Sequence, residues 1–147
     1  MDQSVQVLLQ GMQYKKLFET KVLDIQEKYN LRKVDIEVLY YLAQCGKRDT
    51  ARDIREEMSL TKGHISQAVD RLQKMNILEL VPDKEDRRYV HLYPTAYAKT
   101  LMAEIMAVWE ELNQTILEGI TEEEKQVLKN VALKIRNNLK KELKESK

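Results

Sequence analysis

Two short stretches of this sequence carry side chains suited to reading a partner by its edges and charges. In "LTKGHISQAVDRLQK" the apolar residues Ile65, Ala68, Val69 and Leu72 recur at helical spacing, which turns Lys62, Ser66, Gln67, Arg71 and Lys74 to the opposite face. A Gln amide offers a donor and an acceptor to an adenine edge, and Arg suits a phosphate or a guanine. A polar outer face belongs to any surface helix, so this pattern gains meaning only from its setting. The second stretch, "DKEDRR" at residues 83–88, sets three acids and three bases into one turn. Standing alone, such a cluster is a solvated loop that adds little stability.

The elements around them follow from periodicity and end signals. Leu8, Met12, Leu17, Phe18, Val22 and Ile25 predict one long helix over 5–29, apolar on more than one face. A second helix runs over 34–45 and buries Val38, Leu39 and Leu42, with Gly46 to turn left-handed at its end. Thr50 is placed to cap the short helix "ARDIREEM", with Ala51, Ile54 and Met58 inward, and Thr61 to cap the next. Asn76 stands where that helix must stop. "ILELV" and "RYVHL" predict a hairpin that ends at Pro94, which has no N–H for a ladder. Thr95 is the expected cap of a long helix striped by Leu101, Ile105, Val108, Leu112 and Ile116. Gly119 breaks it, and "TEEE" opens a last helix whose apolar face holds Val127, Leu128, Val131, Ile135 and Leu139.

Two helices joined by a tight turn and followed at once by a hairpin make a winged helix-turn-helix. In that geometry the second helix can enter the major groove of B-DNA while the hairpin tip reaches the backbone or minor groove. The fold class expected is mainly α with a small β-hairpin. It forms one domain over 1–147, with a winged lobe at 34–95 and helical lobes at 1–30 and 96–147.

The stretch "DTARDIREEMSLTKGHISQAVDRLQKMNILELVPDKEDRRYVHLYPT" resembles the DNA-binding core of the MarR family of bacterial transcriptional regulators. "DRRYVHLYPT" is its most specific part. The chain departs from the family pattern at Pro94, where Leu is usual, at Asn76 and Ala98, where Gly is usual, and at Leu80, a frequent Arg. The resemblance implies that Asp86 pairs with Arg88 to order the wing, that Arg88 inserts into a narrow minor groove, and that Arg87 and Lys84 meet phosphates. It places Lys62, Gly63 and His64 in the first turn of the reading helix, with Ser66, Gln67 and Arg71 continuing that surface; His64 has a local packing role as its alternative. It further implies a homodimer built by the terminal helices, presenting two reading helices ~34 Å apart. The DNA partner would be a double-stranded operator, and the most natural role a repressor released by a small, often aromatic, effector. Tyr14, Phe18, Tyr40, Tyr41, Tyr97 and Trp109 lie on helices that could line the effector's cavity, or are plain core.

Composition bounds the alternatives. The formal net charge of +1 gives no diffuse positive field, so polyanion binding must come from local Lys and Arg. The single cysteine, Cys45, excludes an internal disulfide framework; it is read as an inert thiol, with an oxidant sensor as the alternative. Two histidines, His64 and His91, make a zinc sensor a poor fit, and no cofactor is expected. No phosphate loop or nucleophile and base pair is spaced for catalysis, so the chain reads as no enzyme. No run approaches a membrane span, and a cytoplasmic setting is expected. The rival reading is a winged helix that binds another protein instead of DNA.

Overall fold

The computed structural model describes residues 1–10 and 13–145, with Leu9, Gln10, Tyr14 and Glu145 described by backbone alone. Among the described residues, seven α-helices and one antiparallel hairpin follow in the order α1 (Gln3–Gln10), α2 (Tyr14–Tyr29), α3 (Lys33–Gln44), α4 (Ala51–Glu57), α5 (Lys62–Lys74), β1 (Leu78–Pro82), β2 (Val90–Pro94), α6 (Lys99–Ile116) and α7 (Glu122–Glu145). The mainly α, winged helix-turn-helix expectation holds. The single helix expected over 5–29 does not: α1 closes at Gln10 and α2 opens at Tyr14. Met12, counted on the expected apolar face, lies outside the described residues, as does Gly11.

Residues 1–112 and 113–147 form two compact units. In the first, Ile36 and Leu39 of α3, Ile54 of α4, Ile65 and Leu72 of α5, Leu78 and Leu92 of the hairpin, and Ile105 of α6 make one core, each at most 3% exposed. Of the three residues expected inward on α4, only Ile54 is fully buried, and Ala51 is exposed.

The ends of these helices are fixed locally. Thr50 Oγ1 accepts from the Asp53 N–H at 3.2 Å while Asp53 accepts from the Thr50 N–H at 3.1 Å, a reciprocal cap. Thr61 Oγ1 accepts from the His64 N–H at 3.2 Å and opens α5. Asn76 takes φ 60°, so the chain leaves α5 left-handed without glycine. In the hairpin Leu78 pairs with Pro94 and Pro82 with Val90, which puts proline only at the terminal rungs. Thr95 does not cap with its side chain: its hydroxyl donates to the Asn76 carbonyl at 2.6 Å, and a short 3-10 turn, Ala96–Ala98, precedes α6.

In the second unit the Glu124 N–H donates to Thr121 Oγ1 at 3.1 Å, and Gly119 takes φ 78°. Along α7, Val127, Leu128, Val131 and Leu139 are 46–61% exposed. No helix of the described residues is long and apolar enough to cross a membrane.

Candidate nucleic-acid interface

α5 is cut into two faces by its apolar spacing. Ile65, Ala68, Val69 and Leu72 face the core, and Lys62, Gly63, His64, Ser66 and Gln67 are exposed on the other side. A side chain at Gly63 would meet nothing within 4 Å, so the first turn of α5 presents an open backbone surface. Three cations gather at its edge: Arg52 and Arg55 of α4 line a shallow cleft of about 240 Å³ with Lys62 and Ser66. Arg52 also pairs with Glu56 one turn on, at 3.1 Å. The pattern reading passed over Arg52 and Arg55. The signal was present, since both flank the inward Ile54 and must therefore point outward.

Arg71 departs from its expected place on this surface. Its guanidinium reaches inward to Asp35 of α3, with Nη2 at 2.7 Å from Oδ1 and Nε at 3.3 Å from Oδ2. The Asp35 side chain is 1% exposed and also accepts from the Arg32 N–H at 2.9 Å. A buried carboxylate demands a paired cation, and Arg71 supplies it across 36 residues of sequence.

The wing turn is organised by its acids. Asp86 holds Arg88 in a forked contact, Nε to Oδ1 at 3.0 Å and Nη2 to Oδ2 at 2.8 Å, while accepting the Arg88 N–H at 3.1 Å. The Arg88 side chain is 86% exposed, so the pair stiffens the guanidinium without withdrawing it from solvent. The Arg88 contact holds the Asp86 carboxyl below its usual range. Lys84 and Arg87 are exposed beside it. One further residue of the wing escaped functional notice: His91 lies between Asp49, in the loop before α4, and Asp83 at the wing's start.

A separate cavity of about 610 Å³ is lined by Phe18 of α2, Tyr40 of α3 and Trp109 of α6, with Lys15, Lys33 and Met58 among its other walls. The Trp109 ring is stacked at 4.6 Å from Phe18 and 4.1 Å from Tyr40. Its Nε1–H is buried and meets no acceptor among the described residues. Of the six aromatic residues considered, these three come together. Tyr41, a helical step round from Tyr40, donates to the Arg48 carbonyl at 2.8 Å, and Tyr97 is 76% exposed on the 3-10 turn. The side chain of Tyr14 lies outside the described residues. Cys45 is half-buried with its Sγ 3.4 Å from the Leu42 carbonyl, and burial pushes its thiol up, away from the reactive thiolate.

Known proteins share this fold. Residues 29–88, which span the helix-turn-helix and most of the wing, match the model of the MarR family. The HTH-type transcriptional regulator YsmB of Bacillus subtilis is 23% identical over 124 residues, 84% of each chain. A Listeria monocytogenes protein assigned to the MarR regulators and crystallised with a 26-mer DNA has the same fold, with TM-score 0.76, 19% identity, and 95% of this chain and 89% of that one covered. So does BpsR of Bordetella bronchiseptica, whose DNA binding is regulated by 6-hydroxynicotinic acid, with TM-score 0.68, 17% identity, and 92% and 93% covered. The helix-turn-helix and most of the wing thus match the MarR family of transcriptional regulators in sequence, and the fold is the one its solved structures share.

Proposed function

We propose that the chain is a sequence-specific double-stranded DNA-binding repressor that acts as a homodimer and is released by a small aromatic effector. The observation that carries the DNA reading is the wing: a forked Asp86–Arg88 contact on an almost fully exposed guanidinium, beside the exposed first turn of α5. A pre-ordered Arg gains from the concentrated negative potential of a narrow minor groove, and Gln67 has the donor and acceptor pattern for an adenine edge. Lys62, Gly63, His64 and Ser66 approach the duplex from α5, Lys84 and Arg87 from the wing, and Arg52 and Arg55 from α4. Arg71 is not among them, because its charge is engaged by Asp35. Like the regulators it resembles, it would work beside the chromosome in the cytoplasm.

The effector reading rests on the Trp109 cavity. Stacked rings favour a flat molecule, the buried indole N–H has no acceptor among the described residues, and Lys15 and Lys33 add positive charge to the wall, although Lys33 also pairs with Glu19. BpsR, of the same fold, responds to such a molecule.

Titration of a random-sequence duplex over a salt series tests the DNA reading. Affinity should fall steeply with salt, and Arg88→Ala should weaken binding at about 150 mM salt by roughly tenfold or more while the protein stays folded. A flat salt response would instead favour a winged helix that binds protein, and unchanged affinity for Arg88→Ala would refute the wing's role.

A further inference from the structure

The loop before α4, strand β2 and the wing turn meet at one imidazole. His91 Nδ1 lies 2.6 Å from Asp49 Oδ1, and Nε2 lies 2.7 Å from Asp83 Oδ1. A neutral imidazole has one N–H and one lone pair, so it can donate to only one of two carboxylates and would turn a lone pair on the other. With both carboxylates ionised, two contacts this short are satisfied together only when both nitrogens carry protons.

Each carboxylate is tied to a different part of the fold. Asp49 is 7% exposed, its carbonyl accepts from the Leu92 N–H at 3.0 Å, and the adjoining Thr50 forms a bridge with His91. Asp83 turns its second oxygen to the wing tip, where Oδ2 accepts from the Glu85 and Asp86 N–H groups at 3.0 and 2.9 Å. Asp86 then holds Arg88. Hydrogen bonds thus run without a gap from the helix-turn-helix loop, through His91 and Asp83, to the guanidinium at the tip.

We propose that His91 is a positioning residue for DNA binding: as an imidazolium it ties the wing turn to the loop before α4 and so sets Asp86 and Arg88 for the duplex. This rests on the DNA-binding reading above. The titratable groups facing His91 are Asp49 from the loop, Asp83 from the wing and Tyr93 from its own strand, whose ring stacks at 5.9 Å. Asp49 first and Asp83 second raise the His91 pKa above its ordinary 6.5, against a smaller opposing effect of desolvation. His91 in turn leads the lowering of Asp83 below 3.8. The sign follows. The imidazolium's contribution is complete below 6.5 and is lost as pH rises through the raised value, while Asp83 keeps its charge until pH falls through its lowered one. The clamp is whole below 6.5 and opens as pH rises through the raised His91 value.

NMR titration of the His91 ring, with hydrogen exchange at the Glu85 and Asp86 amides, tests the clamp without DNA. His91 should titrate above 6.5, and amide protection should fall in step with it. Titration at or below 6.5, or protection that persists through the transition, would overturn the clamp. The second arm measures affinity for a random-sequence duplex of roughly 20 bp at fixed salt from about pH 6 to about pH 9. Wild type should weaken by about tenfold, the scale of one charge-assisted hydrogen bond. In a His64→Gln background, which removes the other histidine's titration, the slope should remain, and adding His91→Gln should leave binding weak and nearly flat across the range. A slope unchanged in His91→Gln, or none in wild type, removes the positioning role even if the clamp titrates. Absence of duplex binding at every pH overturns the DNA reading itself, a result the first arm tells apart.

Discussion

Two arginines with the same chemistry have different tasks, and burial divides them. Arg88 is paired with Asp86 in solvent, where an ion pair adds little to stability; its value lies in a guanidinium held ready. Arg71 is paired with Asp35, whose side chain is 1% exposed, and removing it would strand a carboxylate inside the protein. Arg71→Ala should therefore cost about 3 kcal/mol or more, seen as a melting temperature lowered by at least roughly 6 °C. Melting within about 2 °C of wild type would show that Asp35 finds other compensation. Alanine at Arg88 leaves no buried charge behind, so its effect should appear in DNA affinity and not in melting.

At the scale of elements, α2, α3 and α6 each send one aromatic ring to the same place. Trp109 is the only tryptophan in the chain, so its emission reports directly on the cavity it lines. Adding 6-hydroxynicotinic acid or a related aromatic carboxylate should quench or shift that emission saturably, and Tyr40→Ala should weaken the effect by about tenfold, the scale of a lost aromatic contact. Emission that does not respond to any member of such a panel would set the effector reading aside. The differential requirement stands whatever the ligand is: it alters DNA affinity only by preferring one conformation of the chain over another. Helix ends matter here as well, since Thr61 fixes the first turn of α5, where the exposed DNA-facing candidates begin.

For the whole molecule, the open question of partnership is posed by α7. Val127, Leu128, Val131 and Leu139 are exposed at helical spacing, a stripe of the kind that marks an interaction surface. One winged unit touches few phosphates, and two related by a twofold axis reach successive turns of a duplex. Light scattering should give about twice the 17.3 kDa of one chain, and Leu128→Glu should shift the mass toward a single chain while reducing DNA affinity. A wild-type mass equal to one chain would refute the dimer.

The sequence alone determined what depends on near neighbours. Helical and strand periods, the Thr50 and Thr61 caps, the left-handed Asn76 and the proline at the hairpin's end are interactions within a few residues, and each was legible in the order of residue types. The Asp86–Arg88 pair, two residues apart, was reached through the family's pattern. Tertiary structure decided the rest, because burial and partnership are properties of space. Arg71 occupies an outward-reading register but answers a buried acid 36 residues away, and His91 meets Asp49 across 42 residues. Of the five candidate aromatic rings that the structure describes, three share a cavity, since the direction in which a side chain leaves its helix depends on what that helix packs against. Composition and spacing say which side chains are charged; the fold says which charges are already taken.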